Sequence, residues 1–377
     1  MNIQKHALSV GHLSYEDKPF DKLDSLIFSQ LIYMPLSDKL SNDSECTLAE
    51  AAEFLYNKPI VSTFDIWYTK RYELMMSCAK LPRYSNAILC NYINDIDTDA
   101  VKQFNACTYR LSDGSDYIAF CGTDLTVAGW LEDANLAYKT VPSQIEGVTY
   151  TTNVMQQSQR KTRLGGHSKG GNLSIFAASH LPKTLQNNLL EVYSFDGPGF
   201  SKEIQQSEGY SNIYNQIHSF IPTSSVVGLL LSYHPIYSVV ESDAHNLLQH
   251  DVMSWKIKDG EFMYKNSVDS TSQLTDETLH NWLNDLSMDD RKTLLDVLST
   301  LINATEIELI TDIHDNRRIC TKKFFEALKN LPKSTRTEVR LMLRNLMRSS
   351  VNGTIKQIIL HFARMSKINN PVENQQQ

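Results

Sequence analysis

Residues 164–171 read Leu-Gly-Gly-His-Ser-Lys-Gly-Gly, and within them Gly166-His167-Ser168-Lys169-Gly170 fits the pattern G-x-S-x-G. In that pattern a strand reverses into a helix through one strained residue, and the serine hydroxyl is presented at the turn. The backbone on either side must approach closely, so glycine is needed where any side chain would clash. A glycine-rich turn holding a serine is also ordinary loop chemistry, and the surroundings decide between the two. A short strand is predicted to end at Leu164 and Gly165. A helix is predicted to start at Gly170 and to carry Leu173, Ile175 and Phe176 to about Leu181. Strand before and helix after make Ser168 a candidate nucleophile. The backbone N–H of Lys169, at the helix start, would then face a developing oxyanion.

Outward from this turn, strand and helix patterns alternate. Ala87–Ile93, Phe104–Leu111 and Tyr117–Cys121 are β-rich runs, the last two joined by the turn residues 112–115, Ser-Asp-Gly-Ser. Helices are expected around Gly129–Tyr138 and within Ser143–Gln159. Further strands are expected at Leu189–Phe195, Ile213–Ile221 and Tyr237–Glu241, with a hairpin over Met253–Tyr264 turning at Asp259-Gly260. Strands separated by helix-sized segments imply a mainly parallel sheet covered on both faces. The expectation is therefore an α/β chain of the α/β-hydrolase fold, with a mainly parallel central sheet and a catalytic core at residues 81–270.

Both flanks read as helical. In residues 1–80, Leu23, Leu26, Ile27, Leu31 and Ile32 recur at helical spacing, and Thr47-Leu48-Ala49-Glu50 is a capping box. After about Ser270 strand patterning stops, so residues 271–377 are expected to form a helical C-terminal subdomain. Thr275 and Ser287 are candidate N-caps, and Leu279, Trp282, Leu283 and Leu286 share one face. Amphipathic helices are expected at Phe324–Leu331, Val339–Met347 and Ile355–Met365.

The chain has 377 residues, 41% apolar and 21% charged, as ordinary globular proteins do. No stretch holds the roughly 18 apolar residues of a membrane span, and the first residues lack a signal-peptide apolar region. The six cysteines lie far apart with no C-x-x-C, which argues against zinc and disulfides and fits a reducing cytoplasm. No Walker loop, HExxH, EF-hand or dinucleotide fingerprint appears, so neither a cofactor nor a metal is expected.

A serine nucleophile needs a base and a group to orient it, in chain order serine, acid, histidine for this fold. His250, in Leu247-Leu248-Gln249-His250-Asp251, follows the Val239-Val240 strand by a short loop and is the candidate base, with His245 as runner-up. His180 and His218 occupy helix and strand positions and are expected to be structural. His280, His314 and His361 belong to the helical C-terminal part. Residues 192–199, Val-Tyr-Ser-Phe-Asp-Gly-Pro-Gly, bring a strand to its end at Asp196, where open α/β sheets place their sites. Asp196 is the candidate acid; a turn-capping role is the plain alternative, with Asp243 and Asp251 as other candidates.

These stretches, together with Ala119-Phe-Cys-Gly-Thr-Asp124, Gly129-Trp-Leu-Glu-Asp133 and Pro222-Thr-Ser-Ser-Val-Val-Gly228, resemble a family of bacterial lipase-like α/β hydrolases related to the class 3 (fungal-type) lipases. The likeness covers roughly residues 20–260. It implies an ester bond as target and an oxyanion hole at Gly122-Thr123, with Thr123 supplying a backbone N–H alongside that of Lys169. Two departures stand out. Lipase relatives carry arginine before the Gly-Thr pair, where this chain has Cys121. Class 3 lipases take their acid from a position near Ser224, so the resemblance points to the preceding strand instead, as in pancreatic-type lipases.

The expected function is hydrolysis of a carboxylic ester, lipid or small molecule, through Ser168, Asp196 and His250. The alternatives are a non-catalytic α/β-hydrolase scaffold, or the same triad acting on a thioester or amide. The segment Asp124–Thr140, with Val127, Trp130, Leu131 and Leu136, is either a cover over the acyl site or a plain helix packed on the core. Net charge is −7. From Thr321 onward eleven Lys/Arg against three Asp/Glu give +8, leaving −15 for residues 1–320. Arg336, Arg340, Arg344 and Arg348 form a stripe on one helix side. Its expected counterpart is the acidic remainder of the chain or an anionic membrane surface, not nucleic acid.

Overall fold

The computed structural model describes residues 1–41, 44–58, 66–97, 100–123, 132, 136, 139–225, 236–268 and 317–349, and a few residues between 285 and 304. The chain divides into two compact units. One comprises Met1–Asp124 and Ala128–Asp269, the other Leu125–Val127 and Ser270–Gln377.

In the first unit, helices α1 (Ile3–Val10), α2 (Lys22–Leu31), α3 (Leu48–Tyr56) and α4 (Ile66–Cys78) precede the main strands. Local chemistry starts them. Asp21 caps α2 and Thr47 caps α3, each closing a capping box with Asp24 and Glu50. Strands β2 (Ile88–Asp97), β3 (Lys102–Arg110) and β4 (Asp116–Phe120) follow. Then come α5 (Pro142–Ser158), β5 (Thr162–His167), α6 (Lys169–His180), β6 (Leu189–Phe195), β7 (Ile217–Pro222) and β8 (Tyr237–Val240). Two-residue strands at Cys46–Thr47 (β1) and Tyr264–Lys265 pair with β2 and β8 and complete one sheet.

Strands β4 to β8 run parallel, whereas β2, β3 and β4 pair antiparallel. The expected parallel sheet is thus its centre, and one flank is a meander. The reason is length: the few residues at 111–115 between β3 and β4 can only fold the chain back on itself, while a parallel crossover needs a dozen or more. The strand expected at Ile213–Ile221 starts only at Ile217, because Ile213 closes a one-turn helix. The Met253–Tyr264 hairpin turns at Asp259 and Gly260, both at positive φ, as a two-residue turn requires.

Successive residues of the central strands point to opposite faces, and both faces are covered. Tyr117 and Ala119 join an apolar cluster with Leu23, Leu26 and Ile27 of α2. Ile118 and Phe120 join another with Tyr150 of α5 and Leu173 and Phe176 of α6. Polar ties fix α2 in place. The Tyr117 hydroxyl donates to the Ser25 carbonyl at 3.0 Å and lies 2.8 Å from the hydroxyls of Ser25 and Ser29. Asp24 takes a two-pronged contact from Arg83 at 2.6 and 2.8 Å in a fully buried pair.

In the second unit the described helices are α7 (Arg317–Asn330) and α8 (Lys333–Ser349), and the Ser287 hydroxyl accepts the Asp290 N–H at 3.0 Å, a helix cap. Thr275, Leu279, Trp282, Leu283 and the Ile355–Met365 segment lie outside the described residues.

Candidate active site

Ser168 stands between the last residue of β5 and the first of α6, at φ 58° and ψ −130°. A non-glycine residue with positive φ costs about 1–3 kcal/mol, so the surroundings must impose it. They do so by close main-chain approach. A Cβ on Gly166 would lie 2.3 Å from the Gly170 carbonyl carbon, and one on Gly170 would lie 2.1 Å from the Phe120 oxygen. Glycine at both positions lets the turn close. The Ser168 N–H then donates to the Phe195 carbonyl at 2.9 Å, tying the turn to the end of β6. The strand runs to His167 and the helix starts at Lys169, tighter than sequence patterning indicates.

Asp196 ends β6 at φ 50°, its N–H bonded to the Phe220 carbonyl of β7 at 2.7 Å. Its carboxylate is fully buried and accepts two short hydrogen bonds: His250 Nδ1–H at 2.6 Å and the Ser225 hydroxyl at 2.5 Å. Since Nδ1 donates, a neutral His250 keeps the lone pair of Nε2 for a proton. The loop carrying His250 is held from beneath. Gln249 accepts from the Thr223 hydroxyl and the Ser224 N–H, each at 2.9 Å, and its own carbonyl accepts Trp255 Nε1–H at 2.9 Å. Ser224 thus helps hold the histidine loop, while its neighbour Ser225 meets the acid.

Of the other candidates, Asp243 is exposed and faces Lys256 at 3.4 Å. Asp251 caps a short 3-10 turn through Met253 N–H and pairs with Lys70 at 2.7 Å. His245 is exposed. His180 Nδ1 donates to the Phe176 carbonyl at 2.8 Å, and His218 stacks on Tyr193. None of these meets Asp196.

Gly122 lies close to Ser168, where a Cβ on it would come within 3.2 Å of the serine Cβ; its N–H donates to the Tyr33 hydroxyl at 3.0 Å, and Thr123 next to it is half-buried. Cys121 is buried. Lys169 brings more than its N–H, which as the first of α6 has no carbonyl one turn before it. Its side chain is fully buried. The ammonium donates to Glu132 at 2.9 Å and to the carbonyl and side-chain oxygens of Gln103 at 2.8 and 2.5 Å. Glu132 also accepts the Gln103 and Ser143 N–H groups at 3.1 and 3.0 Å. This knot binds the turn to β3 and to the start of α5. Sequence reasoning missed it, although Glu132 lies in the Gly129–Asp133 motif; nothing in spacing pairs positions 37 residues apart.

His167 was missed as well. Its ring is buried, lies 4.6 Å from the His250 ring centre to centre, and donates Nε2–H to the His250 carbonyl at 2.9 Å. Burial, with His250 and Arg71 nearby, holds it well below the ordinary value of 6.5, so it is neutral. Of the segment Asp124–Thr140, Leu136 is buried, and Val127, Trp130 and Leu131 lie outside the described residues. Among the described residues no cluster of His, Cys, Asp and Glu could hold a metal ion, and no helix is long and apolar enough to cross a membrane.

The chain belongs to the Mbeg1-like family, a lipase-related family whose profile matches residues 78–300, more than half its length. No curated protein matches it significantly. Among solved structures, the native Rhizomucor miehei lipase propeptide complex is similar over 54% of this chain and 74% of that one, at 14% identity and a TM-score of 0.31.

Proposed function

We propose that this Mbeg1-like chain is a serine hydrolase of the α/β-hydrolase type, cleaving a carboxylic ester through an acyl-enzyme. The observation that carries the reading is the 2.6 Å contact between His250 Nδ1 and the buried Asp196 carboxylate. It joins two loops at the C-terminal edge of the parallel strands, beside a serine held at positive φ.

In this reading His250 Nε2 takes the Ser168 proton as Oγ attacks the ester carbonyl, and Asp196 stabilises the imidazolium that forms. The Thr123 and Lys169 backbone N–H groups stabilise the oxyanion of the tetrahedral intermediate. His250 then passes the proton to the leaving alcohol. Water, deprotonated by the same histidine, releases the acid and regenerates Ser168. The chemistry needs no metal.

Labelling with a fluorophosphonate tests the nucleophile: the wild type should be modified at Ser168, and Ser168→Ala should not. A panel of p-nitrophenyl esters and acyl thioesters then assigns the bond and chain length. A wild type that is neither labelled nor active on any of them overturns the reading and leaves a non-catalytic scaffold.

A further inference from the structure

Three parts of the proposed site lie far apart in sequence: the Gly122-Thr123 loop, the Ser168 turn and the His250 loop. One chain of hydrogen bonds touches all three. His167 Nε2 lies 2.9 Å from the His250 carbonyl oxygen, which can only accept, so Nε2 carries the proton. The neutral ring therefore presents Nδ1 as an acceptor. The Tyr33 hydroxyl is 3.3 Å from Nδ1 and donates to it, with the His167 carbonyl at 3.4 Å as its longer alternative. The hydroxyl oxygen in turn accepts the Gly122 N–H at 3.0 Å. The links at His250 and Gly122 each have a defined sense, and both acceptors open to the hydroxyl proton belong to His167.

Tyr33 is itself held. The Arg71 guanidinium lies 3.8 Å over its ring, and Arg71 Nε donates to the buried Gln30 side chain at 3.1 Å. The residue comes from just after α2, so the helical N-terminal residues reach into the site. His167 is buried against His250, face partly to face, which restricts the tilt of the His250 ring as well as the height of its main chain.

We propose that Tyr33 and His167 are positioning residues that register the His250 base and the Gly122-Thr123 oxyanion loop on the Ser168 turn. The proposal rests on the serine-hydrolase reading. Neither residue touches the reacting atoms; both act by holding groups that do. Burial holds His167 well below the ordinary value, so at neutral pH its ring keeps Nδ1 as an acceptor. Protonating Nδ1 would turn an acceptor into a donor opposite the Tyr33 hydroxyl, which would have to turn its own proton to the His167 carbonyl at 3.4 Å.

The test compares wild type, Tyr33→Phe, His167→Gln and His167→Leu in the full chain. It measures the fluorophosphonate labelling rate of Ser168, kcat and KM on a p-nitrophenyl ester, and Tm. Tyr33→Phe removes one oxygen, leaves the Gly122 N–H without that acceptor, and should keep the protein folded with Tm lowered by a few degrees. It should lower kcat and the labelling rate by up to about 100-fold, as an ångström's misplacement does, with KM nearly unchanged. Glutamine can still donate to the His250 carbonyl, so His167→Gln should retain more activity than His167→Leu. Wild-type labelling rates in Tyr33→Phe, or equal losses in both His167 variants, overturn the proposal while leaving the hydrolase reading intact. If His167→Leu does not fold, Tyr33→Phe decides alone. A wild type that is not labelled overturns both.

Discussion

Replacing Lys169 by methionine keeps the stem and removes the ammonium. Glu132 would then be a fully buried carboxylate with two main-chain donors, Gln103 N–H at 3.1 Å and Ser143 N–H at 3.0 Å, in place of three partners. Breaking one side of a buried pair costs about 3–5 kcal/mol, because the remaining charge is uncompensated. The two retained donors place this case near the lower end, at about 3 kcal/mol. That is a large share of the roughly 5–15 kcal/mol that separates a folded chain from its unfolded state. Glu132→Gln should cost a similar amount from the other side: the ammonium keeps the two Gln103 oxygens, while the new amide turns donors toward donors. In Lys169→Met/Glu132→Gln no buried charge remains, so the double variant should be more stable than the summed single losses by about 2 kcal/mol. Urea unfolding followed by circular dichroism measures all four proteins. Additive losses, with coupling below about 0.5 kcal/mol, or a Lys169→Met cost under about 1 kcal/mol, would refute the claim that the two charges hold each other at this turn.

Four further outcomes are expected. Ser168→Ala should keep the fold and lower kcat by about 10⁴-fold or more; residual esterase activity near wild type in a clean preparation would remove Ser168 from the mechanism. Asp196→Asn should fold and lose about 10²- to 10⁴-fold through the wrong imidazole tautomer, and a milder effect than that of Asp243→Asn would reassign the acid. The buried His167 and His6 both titrate below the ordinary 6.5, so the unfolded chain binds protons first as pH falls. Stability should therefore be fully present above about 6.5 and decline progressively below it; a His167→Gln variant should show a shallower decline in acid unfolding, and an unchanged slope would contradict the assignment. On α8, Arg340 and Arg344 are exposed and Arg336 is half-buried. If the stripe meets an anionic membrane, changing Arg336, Arg340, Arg344 and Arg348 to glutamine should abolish salt-sensitive cosedimentation with anionic liposomes, and equal binding by wild type and variant ends that proposal.

Much of the site was legible because its signals are local. The glycines at 166 and 170 report a main-chain approach that any residue with a Cβ would block: a Cβ there would come within 2.3 and 2.1 Å of neighbouring main-chain atoms. The strand ending at Asp196 could be read because Gly-Pro-Gly follows it at once. The parallel centre of the sheet follows from helix-sized connections, and the antiparallel pairing of β2 with β3 and of β3 with β4 follows from short ones; strand periodicity itself carries no direction. The motif accounts for the Lys169 backbone N–H alone, and the burial of its ammonium depends on partners elsewhere in the chain.

The sequence by itself determined the alternation of strands and helices, the strained turn at Ser168 and the residue types able to serve it, all properties of neighbours within a few positions. The tertiary structure alone decided which of these meet. Asp196 and His250 stand 54 residues apart, and Tyr33 and His167 stand 134 apart. Their contacts exist only because a parallel sheet brings successive strand ends to one edge and a helix from the N-terminal residues packs across it. Asp243 and Asp251 have the same carboxylate as Asp196, and what separates them is burial and reach, which no local pattern encodes.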